Sequence, residues 1–143
     1  MSSDAGRPQI PQDMKAFNRK VIGEFRANHG KLGPPLDGRG LLLLTTTGAR
    51  SGQKTTVVLG YRPYRDGYAV IASNNSAPAA PAWFHNLIAD STATVEVGAE
   101  KFEARARVAG AEERAEIAPL IEYLPGQQAK TEREIPLVVL ERI

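Results

Sequence analysis

Two short apolar runs, joined by a glycine-bounded basic turn, constrain the fold of this chain more than any other stretch. Residues 41–47 read LLLLTTT, and residues 56–61 read TVVLGY. The first run is too short to span a membrane as a helix, and its threonines favour a buried β-strand. The second run predicts a strand that returns beside it. We therefore expect an antiparallel hairpin at the centre of the fold.

The turn between these strands has the composition of an anion-binding site. Gly48 and Gly52 permit positive φ and would leave backbone N–H groups uncovered, as in a concave nest of donors. Arg50, Ser51 and Lys54 surround it, and a guanidinium can form a forked pair with phosphate or carboxylate. A Walker loop is excluded, because the following helix is missing. An ordinary surface hairpin with solvated cations is the alternative interpretation.

The rest of the chain predicts a small antiparallel barrel with flanking helices, a mainly β (α+β) fold of about six strands. Strict alternation over 93–109, around a turn at Gly98-Ala99, indicates a hairpin with one solvated face. Further strands are predicted at 68–73 and 136–141, helices at 12–28, 82–89 and 111–124 (divided at Pro119), and turns or loops at 31–40, 62–67, 74–81 and 125–134.

Length and composition narrow the function. The 143 residues predict one domain, 12–143, after a flexible N-terminus, 1–11. No cysteine is present, and His29 and His85 lie far apart, so we expect no metal site. A net charge of +2 is too small to indicate nucleic acid. We expect a cytoplasmic protein, whose basic helix 12–28 packs on the barrel or contacts the inner membrane face peripherally.

No catalytic motif accompanies this fold. The sequence lacks a serine nucleophile elbow, an HExxH helix and a dinucleotide-binding GxGxxG, so an enzyme of this kind needs a bound organic cofactor. The basic turn, the strand end at 71–75 and the helix start at 81–83 could converge on it. Trp83 is either a ring-stacking wall or a core anchor. His85 is predicted to be a hydrogen-bonded structural imidazole rather than a base.

Four segments together carry a resemblance to a known family. They are TTGARSG at 46–52, IASN at 71–74, PAWFHNL at 81–87 and REIPLVVLE at 133–141. Over residues 12–142 the chain resembles the deazaflavin-dependent nitroreductases, actinobacterial reductases that use coenzyme F420. The resemblance implies a split β-barrel of the FMN-binding type. It also implies hydride transfer from C5 of the reduced deazaflavin to quinones, nitroimidazoles, or conjugated lactones such as coumarins and aflatoxins.

The resemblance also assigns residues. For the implied reaction we hypothesise that backbone amides or the Ser73 hydroxyl, the one candidate catalytic side chain, stabilise the charge on the acceptor oxygen while solvent supplies the proton. Most of the chemistry is expected to belong to the cofactor. The implied cofactor-binding positions are Arg50, Ser51, Lys54, Thr55, Thr56, Val57, Val58, Ile71, Ala72, Ser73, Asn74, Trp83 and Asn86.

Departures from the family pattern shift the expected acceptor. Thr55 stands where arginine is frequent, Val58 where proline is usual, and Asn74 where lysine is frequent. Residues 126–130 contain none of the tyrosines that nitro-drug activators carry. We therefore predict reduction of quinones or conjugated C=C bonds rather than nitro groups. Three alternatives stay open. The protein is either an enzyme or a non-catalytic carrier of F420 or FMN, its cofactor is either F420 or FMN, and it is either a monomer or a homodimer.

Overall fold

The computed structural model describes residues 14–33, 36 and 40–143, so the predicted flexible terminus and half of the predicted 31–40 loop lie outside the described residues. The described residues form a sheet of seven antiparallel strands with flanking helices. The strands are β1 Leu41–Thr47, β2 Lys54–Gly60, β3 Arg62–Tyr64, β4 Gly67–Ile71, β5 Thr92–Val97, β6 Glu100–Val108 and β7 Leu137–Arg142, and the helices are α1 Met14–Ala27, α2 Ala82–Ala89, α3 Ala111–Ile117 and α4 Leu124–Gln128.

The predicted central hairpin is confirmed. β1 and β2 pair without interruption from Leu41 opposite Gly60 to Thr47 opposite Lys54. The second strand begins at Lys54, two residues before the predicted start, because pairing continues up to the turn. Leu42, Leu43 and Leu44 are fully buried, and since consecutive strand residues point to opposite faces, both faces of β1 are covered.

The sheet has the order β2-β1-β5-β6-β7-β4-β3 and curls until β2 contacts β4, which makes a half-barrel. One of the seven strands, β3, was predicted as part of a turn. Residues 62–64 pair with residues 67–69, and only Arg65 and Asp66 form the turn, with Arg65 at φ 52°. Pro63 is tolerated there because β3 is an edge strand that needs no complete set of ladder donors.

Two apolar clusters cover the two faces of the sheet. Leu44, Val70 and Leu140 belong to the cluster that fills the barrel, where α2 packs. Ile71 and Leu137 point the other way and form a second cluster with residues of the C-terminal helices. The alternation along β4 and β7 therefore places the helical segment 111–128 on the outer face of these strands.

The helices agree with the sequence except at the C-terminus. α2 matches its predicted bounds, and Pro119 ends α3 in a 3-10 turn, as its missing N–H requires. The predicted polar connection at 125–134 is wrong at its start, where α4 forms, because five residues are too few to show helical periodicity. In α1, Val21 and Phe25 are buried. None of the described helices has the length and apolar character needed to cross a bilayer.

Candidate functional site

The basic turn between β1 and β2 is closed by its own backbone. The Gly48 N–H donates to the Gln53 carbonyl at 2.8 Å, and the Gly52 N–H donates to the Gly48 carbonyl at 2.9 Å. Gly52 has φ +72°, as predicted, whereas a Cβ on Gly48 would lie 2.5 Å from the Ser51 Oγ. Gly48 therefore marks a close approach to the Ser51 side chain rather than a position of positive φ. Because these N–H groups bond internally, the turn is less open than the predicted nest of donors.

Asn86 connects this turn to α2. Its Oδ1 accepts a hydrogen bond from the Ala49 N–H at 3.0 Å, and its Nδ2 donates to the Thr46 Oγ1 at 3.0 Å. Asn86 is 8% exposed and Thr46 is 1% exposed, so both bonds are shielded from water. The side-chain amide of Asn86 is therefore occupied in shaping the turn.

The cations of the turn are free to bind an anion. Arg50, Ser51 and Lys54 are exposed, and within the described residues neither Arg50 nor Lys54 has a carboxylate partner. In the same part of the chain, the backbone N–H groups of Arg50 and Ser51 have no acceptor. Two cations and two adjacent N–H groups are a suitable donor set for a phosphate or carboxylate.

The β2 strand divides the predicted cofactor residues between its two faces. Val57 and Leu59 pack against the barrel cluster, and Thr55 shares their side by the two-residue period of a strand. Lys54, Thr56, Val58 and Gly60 line the opposite face, which we call the β2 outer face. At a rise of about 3.3 Å per residue, this face extends about 20 Å from the basic turn to Gly60.

A cleft lies at the far end of the β2 outer face. It has a volume of about 170 Å³. Seven residues line it, of which three were predicted to bind the cofactor and four were not. A groove of about 560 Å³ adjoins it and also includes Gly40, Arg62 and Glu122. The cleft is lined by Val58, Ile71 and Ser73 from the predicted set, and by Leu59, Gly60, Tyr123 and Gln127.

The loop that follows Ser73 is fixed by Arg133. The Arg133 guanidinium donates to the carbonyls of Ser73 at 2.7 Å, Ala72 at 3.2 Å and Ala77 at 2.8 Å. Asn74 and Ser76 adopt positive φ, 47° and 62°, a conformation that non-glycine residues rarely take. Arg133 therefore holds a strained loop beside the cleft. Its role was missed, although it opens the REIPLVVLE segment that carried part of the resemblance.

The aromatic and imidazole groups of α2 contribute less than the sequence suggested. Trp83 is 6% exposed inside the barrel cluster, with its ring edge-to-face against Phe84 at 6.4 Å. Of the two interpretations, the structure favours the core anchor. His85 is exposed, and its imidazole makes no hydrogen bond within the described residues, so the predicted structural hydrogen bond is not observed.

A second large cleft, of about 460 Å³, lies between β3, β4, β6 and β7 and contains arginines whose charges are compensated. Arg107 forms ion pairs with Glu113 and Glu141, and Arg65 pairs with Glu116. The hydrogen bond from Arg107 holds the pKa of Glu113 below its usual value. These neutralised cations are poorly suited to bind an anion, so we place the candidate site at the basic turn and the β2 outer face.

Comparison with known proteins agrees with this fold. A solved structure of an F420-H2 dependent reductase, FDR-A, is 34% identical, with a TM-score of 0.66 over 72% of this chain and 95% of that one. Another, described as a domain-swapped dimer, is 28% identical, with a TM-score of 0.67 over 90% of this chain and all of that one. These likenesses confirm the predicted split-barrel fold.

Sequence relatives place the chain in a family of oxidoreductases, which confirms the predicted enzyme class. An F420H(2)-dependent quinone reductase of Mycobacterium tuberculosis is 32% identical over 127 residues, which are 82% of this chain and 85% of that protein. The family model described as F420H(2)-dependent quinone reductase matches residues 17–142. The chain therefore belongs to the F420H(2)-dependent quinone reductase family.

Proposed function

We propose that this protein transfers a hydride from reduced coenzyme F420 to quinones, and that the cofactor lies along the β2 outer face. The observation that carries the proposal is the arrangement of that face. Arg50 and Lys54, which have no carboxylate partner among the described residues, stand at one end, and the cleft containing Ser73 is at the other, about 13–20 Å away. An elongated cofactor with an anionic tail and a planar ring needs this separation of charge and cleft.

The tail would be held by the basic turn. Arg50 and Lys54 supply charge, and the N–H groups of Arg50 and Ser51 supply directed hydrogen bonds to phosphate oxygens. Asn86 would act indirectly, because both ends of its amide already bond to Thr46 and Ala49. Its contribution would be to keep the turn in the shape that presents these donors.

The ring would lie over the middle of β2 and the end of β4. Thr56 and Val58 lie on the outer face of β2, while Ile71, Ser73 and the exposed Asn74 follow from β4. The adjoining groove, at about 560 Å³, falls within the size range of cofactor sites. The remaining predicted residues would support the ring site through the backbone or through core packing. Ala72 and Trp83 are buried, Val57 packs on the barrel cluster, and Thr55 lies on the same side of β2 as Val57.

The chemistry of the bound deazaflavin is hydride donation, and the protein supplies orientation and stabilisation of charge. The Ser73 hydroxyl makes no hydrogen bond within the described residues and lines the cleft, so it is available to the acceptor oxygen. Among the described residues no side chain accepts a hydrogen bond from this hydroxyl, so no general base activates it. We therefore assign Ser73 a hydrogen-bonding role and leave the final proton to solvent.

Among acceptors, we propose quinones first and conjugated lactones of the coumarin and aflatoxin type second. The family and the tuberculosis relative are both described as quinone reductases, which supports the first choice. The absence of tyrosine from residues 126–130 argues against efficient reduction of nitroimidazoles. Rates with menadione, coumarin and a nitroimidazole, followed through loss of reduced-deazaflavin absorbance, would rank the three.

Substitution of the basic turn tests the cofactor assignment. Arg50→Ala combined with Lys54→Ala should weaken coenzyme F420 binding about tenfold to hundredfold, because each exposed ionic contact contributes about 1 kcal/mol. The matched control is Lys101→Ala with Arg105→Ala, which removes the same charge from the exposed face of β6. Affinity is read from fluorescence of Trp83, the only tryptophan in the chain. Equal affinity of both double variants, in folded proteins, would contradict the proposal.

Two alternatives remain as outcomes of the same titrations. Tight F420 binding without turnover of menadione or coumarin would indicate a carrier. Tighter binding of FMN than of F420 would assign FMN instead.

We expect a homodimer, since one structural neighbour is described as a domain-swapped dimer, and light scattering would measure the oligomeric state. A cytoplasmic location and membrane contact by 12–28 stay predictions, and vesicle co-sedimentation tests the latter.

A further inference from the structure

The Ser73 hydroxyl is accessible, but no hydrogen bond of its own orients it. Ser73 precedes a single 3-10 turn at Asn74–Ser76, and its side chain makes no capping hydrogen bond there. Among the described residues, the Tyr123 hydroxyl is the only buried side-chain polar atom without a partner. The Ser73 hydroxyl also makes no hydrogen bond within this part of the chain, so it has surface open to solvent. Its place beside the cleft therefore depends on the backbone that carries it.

The backbone that carries Ser73 needs support from outside the loop. β4 ends at Ile71, so the sheet does not extend along the loop. Asn74 and Ser76 adopt positive φ, 47° and 62°, which non-glycine residues rarely do. Such conformations persist only where the surrounding structure holds them. The contacts that hold this loop therefore decide where the Ser73 side chain stands.

Arg133 joins the two ends of the loop. At its start, the Arg133 Nη2 donates to the carbonyls of Ser73 at 2.7 Å and Ala72 at 3.2 Å. At its end, the Arg133 Nε donates to the Ala77 carbonyl at 2.8 Å. A guanidinium is a rigid planar fork, so these bonds fix the two ends of the loop relative to each other. One of the bonds acts directly on the carbonyl of Ser73.

Arg133 is itself anchored to α4. The Gln128 Nε2 donates to the Arg133 carbonyl at 2.7 Å, and the Gln128 Oε1 accepts from the Ile135 N–H at 2.9 Å. Within the part of the chain that the structure describes, no carboxylate pairs with Arg133. The guanidinium is therefore committed to the carbonyls of the loop.

We propose that Arg133 is a positioning residue, which sets where the Ser73 hydroxyl stands relative to the oxygen of the hydride acceptor. The inference rests on the function proposed for the β2 outer face. Arg133 exchanges no proton or electron, and it acts through Ser73. A displacement of about 1 Å can cost about a hundredfold in rate, so a loop released from Arg133 should lose the contribution of the hydroxyl. It should lose no more than that contribution.

Hydrogen exchange in the cofactor-free protein tests whether Arg133 holds the loop. The Ser76 N–H donates to the Ser73 carbonyl at 2.8 Å and should exchange slowly in the wild type. Arg133→Gln should speed this exchange by about tenfold or more, because the loop opens more often. The matched control is Arg114→Gln. Arg114 is also half-buried and donates to a carbonyl, that of Ile135 at 2.6 Å, and it should leave exchange at Ser76 unchanged.

Kinetics with menadione test whether the effect passes through Ser73. At saturating reduced F420, Ser73→Ala should lower kcat about tenfold, the effect of one lost hydrogen bond. Arg133→Gln should lower kcat by a similar factor, and the double variant should be no slower than Ser73→Ala, because both changes remove the same contribution. Arg133→Lys, the milder substitution, should also be slow, since an ammonium keeps the charge without the fork. Arg114→Gln should keep the wild-type kcat, and melting curves identify the folded variants.

The positioning role and the proposed function fail in different ways. The positioning role would be overturned by wild-type exchange at Ser76 in Arg133→Gln, by wild-type kcat in Ser73→Ala or Arg133→Lys, or by losses that multiply in the double variant. Each of these results would leave the proposed function intact. Wild-type protein that does not reduce menadione with reduced F420 would overturn both.

Discussion

Asn86 offers a sharp test of how the basic turn is built. Asn86→Ala removes both hydrogen bonds of the side-chain amide, to Ala49 N–H and Thr46 Oγ1, each 3.0 Å long. Each bond contributes about 1 kcal/mol, and a buried donor left without a partner costs about 1–3 kcal/mol. Since Asn86 and Thr46 are buried, water cannot easily replace the amide. We expect a loss of about 3 kcal/mol in the free energy of unfolding.

The assay separates stability from function. A loss of that size should lower the melting temperature by about 6–12 °C for a domain near this length. F420 affinity should also fall, because the turn that presents Arg50 and Lys54 loses its connection to α2. Asn28→Ala is the matched control, since within the described part of the chain the Asn28 amide donates a single, exposed hydrogen bond, to the Glu24 carbonyl. It should change stability by about 0.5 kcal/mol or less and leave F420 affinity as it was.

Asn86→Asp refines the test. An aspartate can still accept from the Ala49 N–H, and the Thr46 hydroxyl can rotate to donate to it. This variant should therefore retain more stability than Asn86→Ala, while its negative charge should weaken F420 binding at the turn. If Asn86→Ala unfolds at the wild-type temperature and binds F420 equally well, Asn86 does not shape the turn as described.

Two further predictions concern ion pairs. Arg26→Ala should lower the free energy of unfolding by about 2–3 kcal/mol. It leaves the Glu96 carboxylate, in a residue that is 7% exposed, without its two hydrogen bonds from the Arg26 guanidinium, of 3.0 and 2.8 Å. Urea unfolding should show a smaller loss for Glu96→Gln. The pKa of Glu113 is lowered from 4.5 by the Arg107 hydrogen bond, so its ionised form stabilises the fold above pH 4.5, and this stability is lost as the pH falls further. The stability difference between wild type and Glu113→Gln should therefore shrink from pH 7 to pH 3.5, whereas Glu112→Gln should show little difference at either pH.

The sequence predicted the strands and the basic turn because those features are local. The alternation over 93–109 and the glycines around Arg50 reflect backbone geometry within a few residues. The added strand at residues 62–64 was missed since its pairing is short and includes Pro63. α4 was missed for a similar reason, because five residues carry no periodic signal.

The sequence indicated only part of the cleft lining. Val58 and Ser73 were assigned and do line the cleft, but Tyr123, Gln127 and Arg133 come from the outer-face helical segment and the chain that follows it. Their approach depends on how residues 111–135 cross the sheet, which local patterns do not encode. A buried hydroxyl without a partner also has no signature in a sequence, because it is a property of packing.

The hydrogen bonds from Arg133 to three carbonyls determine how late in synthesis the site can form. The loop after Ser73 is translated about sixty residues before Arg133, which closes it. Likewise, β4 is translated about sixty residues before β7, the strand with which it pairs. A nascent chain halted before residue 133 would carry the basic turn but lack this closed loop. Binding of coenzyme F420 is therefore expected only after residue 133 has left the ribosome.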